Sequence, residues 1–125
     1  MEQKIYKRDI IGEIEKYLYT GDIMVLHGAR QVGKTSLLRY LEAELEAKGE
    51  ATYFIDLEDS RYVKILDTGV GEFLKLLEEE GIKAVRPNKK VFVFVDEIQY
   101  LANPSSFLKL IADHHKGIKL IVSGS

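Results

Sequence analysis

The sequence predicts an α/β fold in which a parallel sheet is covered by helices on both faces. Three observations lead there. Four short, nearly continuous apolar runs have the length and the β-branched or aromatic content of buried strands. The segments between them carry apolar residues at helical spacing, and each connection is long enough for a crossover. At 125 residues with 46% apolar side chains, the chain can bury one core but not two.

The first element spans residues 9–21, where Ile10, Ile11, Ile14, Tyr17 and Leu18 recur at helical spacing, with Asp9 as N-cap and Gly21 as the stop. Residues 23–26 form a first strand, read as buried on both faces. A glycine-rich turn then leads into a helix striped by Leu37, Leu38, Leu41 and Leu45 and ended by Lys48 and Gly49. Residues 51–56 read as the second strand, and the polar stretch 57–69, without a clear period, as a loop. Val70, Phe73, Leu74 and Leu77 mark the next helix, closed by Gly81, and Pro87, Asn88, Lys89 and Lys90 announce a turn. Residues 91–95 are the clearest strand. Asn103 as N-cap and Pro104 at the first helical position open a helix carrying Phe107, Leu108, Ile111 and His114, stopped at Gly117, and residues 118–122 form the fourth strand. No repeat or linker divides the chain.

Eighteen Lys plus Arg against twenty Asp plus Glu give a net charge of -2, which excludes the global basicity of a nucleic-acid or membrane coat and leaves room for a local patch. The absence of cysteine removes disulfides, thiolate nucleophiles and cysteine metal sites, and points to the cytoplasm. The N-terminus lacks a signal-peptide core, and no apolar run approaches the ~20 residues of a membrane span.

Between the first strand and its helix, Gly28-Ala29-Arg30-Gln31-Val32-Gly33-Lys34-Thr35 matches G-x-x-x-x-G-K-[ST] at every fixed position. The glycines let the backbone curl so that N–H groups from Gly28 through Ser36 converge on a phosphate, at which the helix directs its positive end. Lys34 can reach the β- and γ-phosphates, and the Thr35 hydroxyl is placed to ligate Mg²⁺. Chance produces this pattern in about one chain of this length in several hundred. A plain turn of small residues accounts for Gly28 and Gly33 but has no use for Lys34 followed by Thr35.

The strand at 91–95 ends in Asp96-Glu97, two adjacent carboxylates at the sheet edge where α/β proteins bind ligands. Asp96 suits the Mg²⁺ shell opposite Thr35, and Glu97 can polarise the water that attacks a γ-phosphate. The competing reading is a solvated strand end. Gln99 either orients water or is a surface glutamine. Ser123 either bonds the attacking water or γ-phosphate or is a turn serine. The favoured readings elsewhere are structural: a local hydrogen bond for His27, helix capping for His114 and His115, a solvated helix end for residues 78–80, and core packing, over adenine stacking, for Ile5, Tyr6 and Ile10.

Taken together, GARQVGKTSLL, VFVFVDEIQYL and KLIVSGS resemble the P-loop core of a family of bacterial and archaeal AAA-type ATPases, over about residues 5–125. The resemblance implies a three-layer P-loop NTPase fold with Gly28, Gly33, Lys34 and Thr35 as Walker A, Asp96 and Glu97 as Walker B and Ser123 as sensor 1. It also implies a fourth strand lying between the Walker A and Walker B strands. Asp56 stands where relatives carry a polar residue that restrains the catalytic glutamate, but its carboxylate would repel Glu97. Such a core continues to a fifth strand, an arginine finger and a lid with a second sensor. Residues 1–125 therefore read as the N-terminal part of the domain, truncated after the fourth strand and weak in turnover alone. Arg30, Arg39 and Arg61 come too early to fill the missing positions.

The leading functional expectation is a Mg²⁺-dependent ATPase that drives a C-terminal domain or a partner, protein or DNA, with a homo-oligomer possible and no membrane role. The alternative is a nucleotide-sensing switch with little or no hydrolysis. A small-molecule kinase is weaker, because no acceptor pocket can be read. ATP is expected over GTP because the chain has no N-K-x-D motif.

Overall fold

In the computed structural model, which describes residues 16–27, 33–83 and 89–124, the apolar runs form strands β1 (Met24–His27), β2 (Ala51–Asp56), β3 (Val91–Asp96) and β4 (Ile118–Gly124). The helices are α1 (Lys34–Ala47), α2 (Ser60–Thr68), α3 (Val70–Glu79) and α4 (Pro104–His114), with a 3₁₀ turn at Ile98–Tyr100. All strand pairs are parallel, in the order β1-β4-β3-β2. The last strand in sequence thus lies between the first and the third, as the resemblance implied.

Side-chain alternation divides the core between the two faces of this sheet. Val91, Val93 and Val95 of β3 and Ile118, Leu120 and Val122 of β4 meet Leu66 of α2, Phe73 and Leu77 of α3, and Phe107 and Ile111 of α4. Phe92, Phe94 and Ile121 turn the other way, onto Leu38, Leu41 and Leu45 of α1 and onto Leu18. The same parity places Asp96 and Ser123 on the α1 face, one step beyond the apolar residues. That face therefore carries the polar groups at its C-terminal edge.

Two expectations need correction. The stretch 57–69 is not a continuous loop, because it contains α2. The Asp59 carboxylate caps that helix by accepting from the Arg61 backbone N–H at 3.0 Å, and Leu66 is buried in the core. Five charged residues, at 58, 59, 61, 64 and 67, mask this short stripe. Hydrogen bonding to the Arg61 side chain, 2.7 Å at its shortest, also holds the Asp59 carboxyl below its ordinary range. The second correction concerns β1, which is not buried on both faces: at the sheet edge Val25 is 40% exposed, while Met24 and Leu26 pack towards α1. Smaller differences are a one-residue shift of β1 and the extension of β4 to Gly124.

Of the helix expected over residues 9–21, residues 16–18 are helical, and the part before them lies outside the described residues, as do Ile5, Tyr6 and Ile10. The following turn is fastened by Lys119, a lysine only 2% exposed on the α1 face of β4. Its Nζ donates to Thr20 Oγ1 at 3.1 Å and to the Asp22 carbonyl, while Lys90 Nζ donates to the Thr20 carbonyl at 3.2 Å. Burial pushes the Lys119 amine below its ordinary pKa, the Lys90 charge adds to this, and Asp22 partly offsets it. Among the described residues, no helix is long and apolar enough to cross a membrane.

Candidate nucleotide site

Gly33 precedes α1 with φ +72° and ψ +41°, a left-handed conformation that costs a residue with a Cβ roughly 1–2 kcal/mol. The helix turns away from it, so Lys34, Thr35 and Ser36 form the first turn of α1 above the C-terminal ends of β3 and β4. The residues Gly28, Ala29, Arg30, Gln31 and Val32, expected to cradle phosphate, lie outside the described residues. Ser36 is exposed on that first turn.

Two expected site residues, Thr35 and Ser123, converge on Asp96, which is 4% exposed. Thr35 Oγ1 donates to Asp96 Oδ2 at 2.6 Å, tying the start of α1 to the end of β3. Ser123 Oγ donates to Asp96 Oδ1 and accepts from the Glu97 backbone N–H at 3.0 Å. One serine therefore fixes the carboxylate of the first acid and the backbone of the second. Lys34 is 6% exposed, and its Nζ donates to the Gly124 carbonyl at 2.7 Å. The lysine is thus held over the end of β4, beside Ser123.

Glu97 is the only non-glycine residue with positive φ among the described residues, at +66°. The chain reverses there out of β3 and enters the 3₁₀ turn. Such strain at a strand end marks a residue whose orientation the surrounding structure enforces.

Asp56 is the cross-strand partner of Asp96, the residue before Glu97. The Asp56 carboxylate is engaged with its own chain, where Oδ1 accepts from the Glu58 N–H at 2.9 Å. Arg39 and Arg61 are occupied away from the Lys34 and Asp96 groups. Arg39 lies 3.5 Å over the Phe54 ring and pairs with Glu42, and Arg61 pairs with Asp59. His27 ends β1 at the surface, His114 closes α4 and His115 caps it.

Sequence reasoning missed Gly124, which contributes its carbonyl to Lys34 and lies against the 3₁₀ turn. A cavity of about 810 Å³ lies at the opposite end of the sheet, between α3 and the end of α4, lined by Leu74, Lys75, Lys83, His114, Lys116 and Ile118 among others. It is remote from the Lys34, Thr35 and Asp96 groups.

A parallel sheet with its last strand inserted between β1 and β3, and a helix opening on Gly-Lys-Thr after β1, define an α/β domain of the P-loop NTPase class. The family model described as AAA domain matches residues 20–125, and the chain belongs to that family. Membership makes this an AAA-type P-loop core and indicates an ATP-binding, ATPase-type function. No curated protein and no solved structure matches the chain.

Proposed function

We propose that the domain binds ATP with Mg²⁺ at the C-terminal edge of the sheet, hydrolyses it, and couples turnover to further chain, to other copies, or to a protein or DNA partner. The observation that carries this reading is the meeting of Thr35 and Asp96, 2.6 Å apart, with Lys34 and Glu97 on the same edge. A hydroxyl and a carboxylate are hard oxygen donors that suit Mg²⁺, and an ammonium suits a phosphate chain. Thr35 and Asp96 would hold the metal, which when bound neutralises charge on the β- and γ-phosphates.

Lys34 and the N–H groups from Gly28 to Ser36 bind the same phosphates electrostatically. Glu97 accepts a proton from water as its oxygen bonds to the γ-phosphorus and the bond to the β,γ-bridging oxygen breaks. Ser123 orients both acids through the Asp96 carboxylate and the Glu97 N–H.

Nucleotide titration and single-turnover phosphate release test the assignment. Lys34→Ala should weaken ATP binding about tenfold or more, and Glu97→Gln should preserve binding and slow hydrolysis about 100-fold. Unchanged turnover in the glutamine variant would remove Glu97 from its role. Tight ATP binding by the unaltered protein without any hydrolysis would favour a nucleotide-sensing switch. Equal affinity for ATP and GTP would refute the ATP preference.

A further inference from the structure

Gly124 differs from six other described glycines. A Cβ built at Gly21, Gly33, Gly49, Gly69, Gly71 or Gly81 meets nothing within 4 Å, whereas at Gly124 it lies 3.0 Å from Ile98 Cγ2 and 3.5 Å from Gln99 Oε1. The φ of Gly124 is not positive, so the backbone there is open to any residue. Glycine serves at this position for space and not for conformation.

The close approach falls on the residue directly after Glu97. Ile98 is 7% exposed and packed into the core beneath the sheet, so it has little room to withdraw. Glu97 is thereby clamped from two sides of β4: Ser123 Oγ holds its N–H, and the Gly124 Cα closes against its successor. The turn is completed by Tyr100 N–H donating to the Glu97 carbonyl and Leu101 N–H to that of Ile98, each at 3.1 Å. Displacement of Ile98 reaches Glu97 through a single peptide unit.

We propose that Gly124 is a positioning residue for hydrolysis: its missing side chain lets the Glu97-bearing turn close onto β4, while its carbonyl anchors Lys34. The inference rests on the proposed role of Glu97 as the group that activates water. It assigns the backbone of the strand end, and not only the Ser123 side chain, to the alignment of the acid.

Gly124→Ala keeps the carbonyl that receives Lys34 and adds only the methyl that crowds Ile98. Ile98→Leu removes the β-branch methyl at constant volume, which makes room for that addition. Single-turnover hydrolysis is measured for the unaltered protein, both single variants, the double variant and Glu97→Gln, alongside ATP affinity and the Glu97 amide NMR shift of the nucleotide-free protein. Gly124→Ala should slow hydrolysis about tenfold, with affinity within about twofold, and should move the Glu97 amide signal. The double variant should recover both rate and signal to those of Ile98→Leu. A rate unaffected by Gly124→Ala, a loss that Ile98→Leu does not rescue, or an unmoved amide signal would overturn the inference. If Glu97→Gln hydrolyses normally, the underlying role of Glu97 fails instead.

Discussion

Thr35 Oγ1 and Asp96 Oδ2 are joined by a 2.6 Å hydrogen bond between residues 61 positions apart in the chain. The bond links the first turn of α1 to the end of β3, and it is made by a carboxylate almost wholly removed from water. Burial of a carboxylate is costly unless its oxygens are satisfied, and here two hydroxyls from different elements do so. On the proposed reading, the negative charge here would serve metal binding more than stability.

Asp96→Asn tests that division. The amide keeps one oxygen acceptor and can donate to the other hydroxyl, while the buried charge disappears. Thermal stability of the nucleotide-free protein should equal or exceed that of the unaltered protein. The Mg²⁺ concentration for half-maximal hydrolysis should rise about tenfold or more. A large fall in Tm with an unchanged Mg²⁺ requirement would make Asp96 a structural residue.

Ser123→Ala removes the donor to Asp96 and the acceptor of the Glu97 N–H together. An unsatisfied buried N–H costs about 1–3 kcal/mol, so denaturant melts should show a loss of that size. Hydrolysis should slow about 10–100-fold while nucleotide affinity changes little, because the serine contacts acids and not Lys34. Loss of affinity with an unaltered bound-state rate would place Ser123 on the phosphates instead.

Much of this arrangement was legible before folding, because the apolar runs set strand parity and the Gly-Lys-Thr sequence marks where β1 hands over to α1. Other parts depend on three-dimensional surroundings. The stripe of α2 rests on Leu66, with Tyr62, Val63 and Ile65 only partly buried among charged neighbours, so periodicity alone could not reveal it. Exposure of Val25 follows from an edge position in the sheet, which composition does not encode. Lys119 interrupts the apolar run of β4 without any sign that it is buried, and the left-handed Glu97 gives no sequence signal, since glycine or asparagine would ordinarily occupy that conformation.

The strain at Glu97 has a measurable counterpart. Glycine adopts a left-handed φ freely, whereas a residue with a Cβ loses about 1–2 kcal/mol there. Glu97→Gly should therefore melt above Glu97→Ala by about 4 °C for each kcal/mol in a domain of this size. Both should lack hydrolysis. Equal melting temperatures would mean that the turn relaxes once the carboxylate is removed.

Lys119 gives the stability a dependence on alkaline pH whose sign can be worked out. Burial lowers its folded-state pKa below the ordinary 10.5, with Lys90 adding to the shift and Asp22 opposing it. Between the folded and unfolded values, the unfolded chain binds more protons, so unfolding free energy rises with pH through that window. Tyr53 acts in the opposite direction: burial and its hydrogen bond with Tyr62 raise its pKa from 10.0, so the unfolded chain loses that proton first and stability falls above about pH 10. Denaturant melts of the unaltered protein should show stability climbing towards pH 10 and then declining. Lys119→Met keeps most of the buried volume without the charge, and it should abolish the climb while leaving the decline. A climb that survives the methionine substitution would assign the effect to another group.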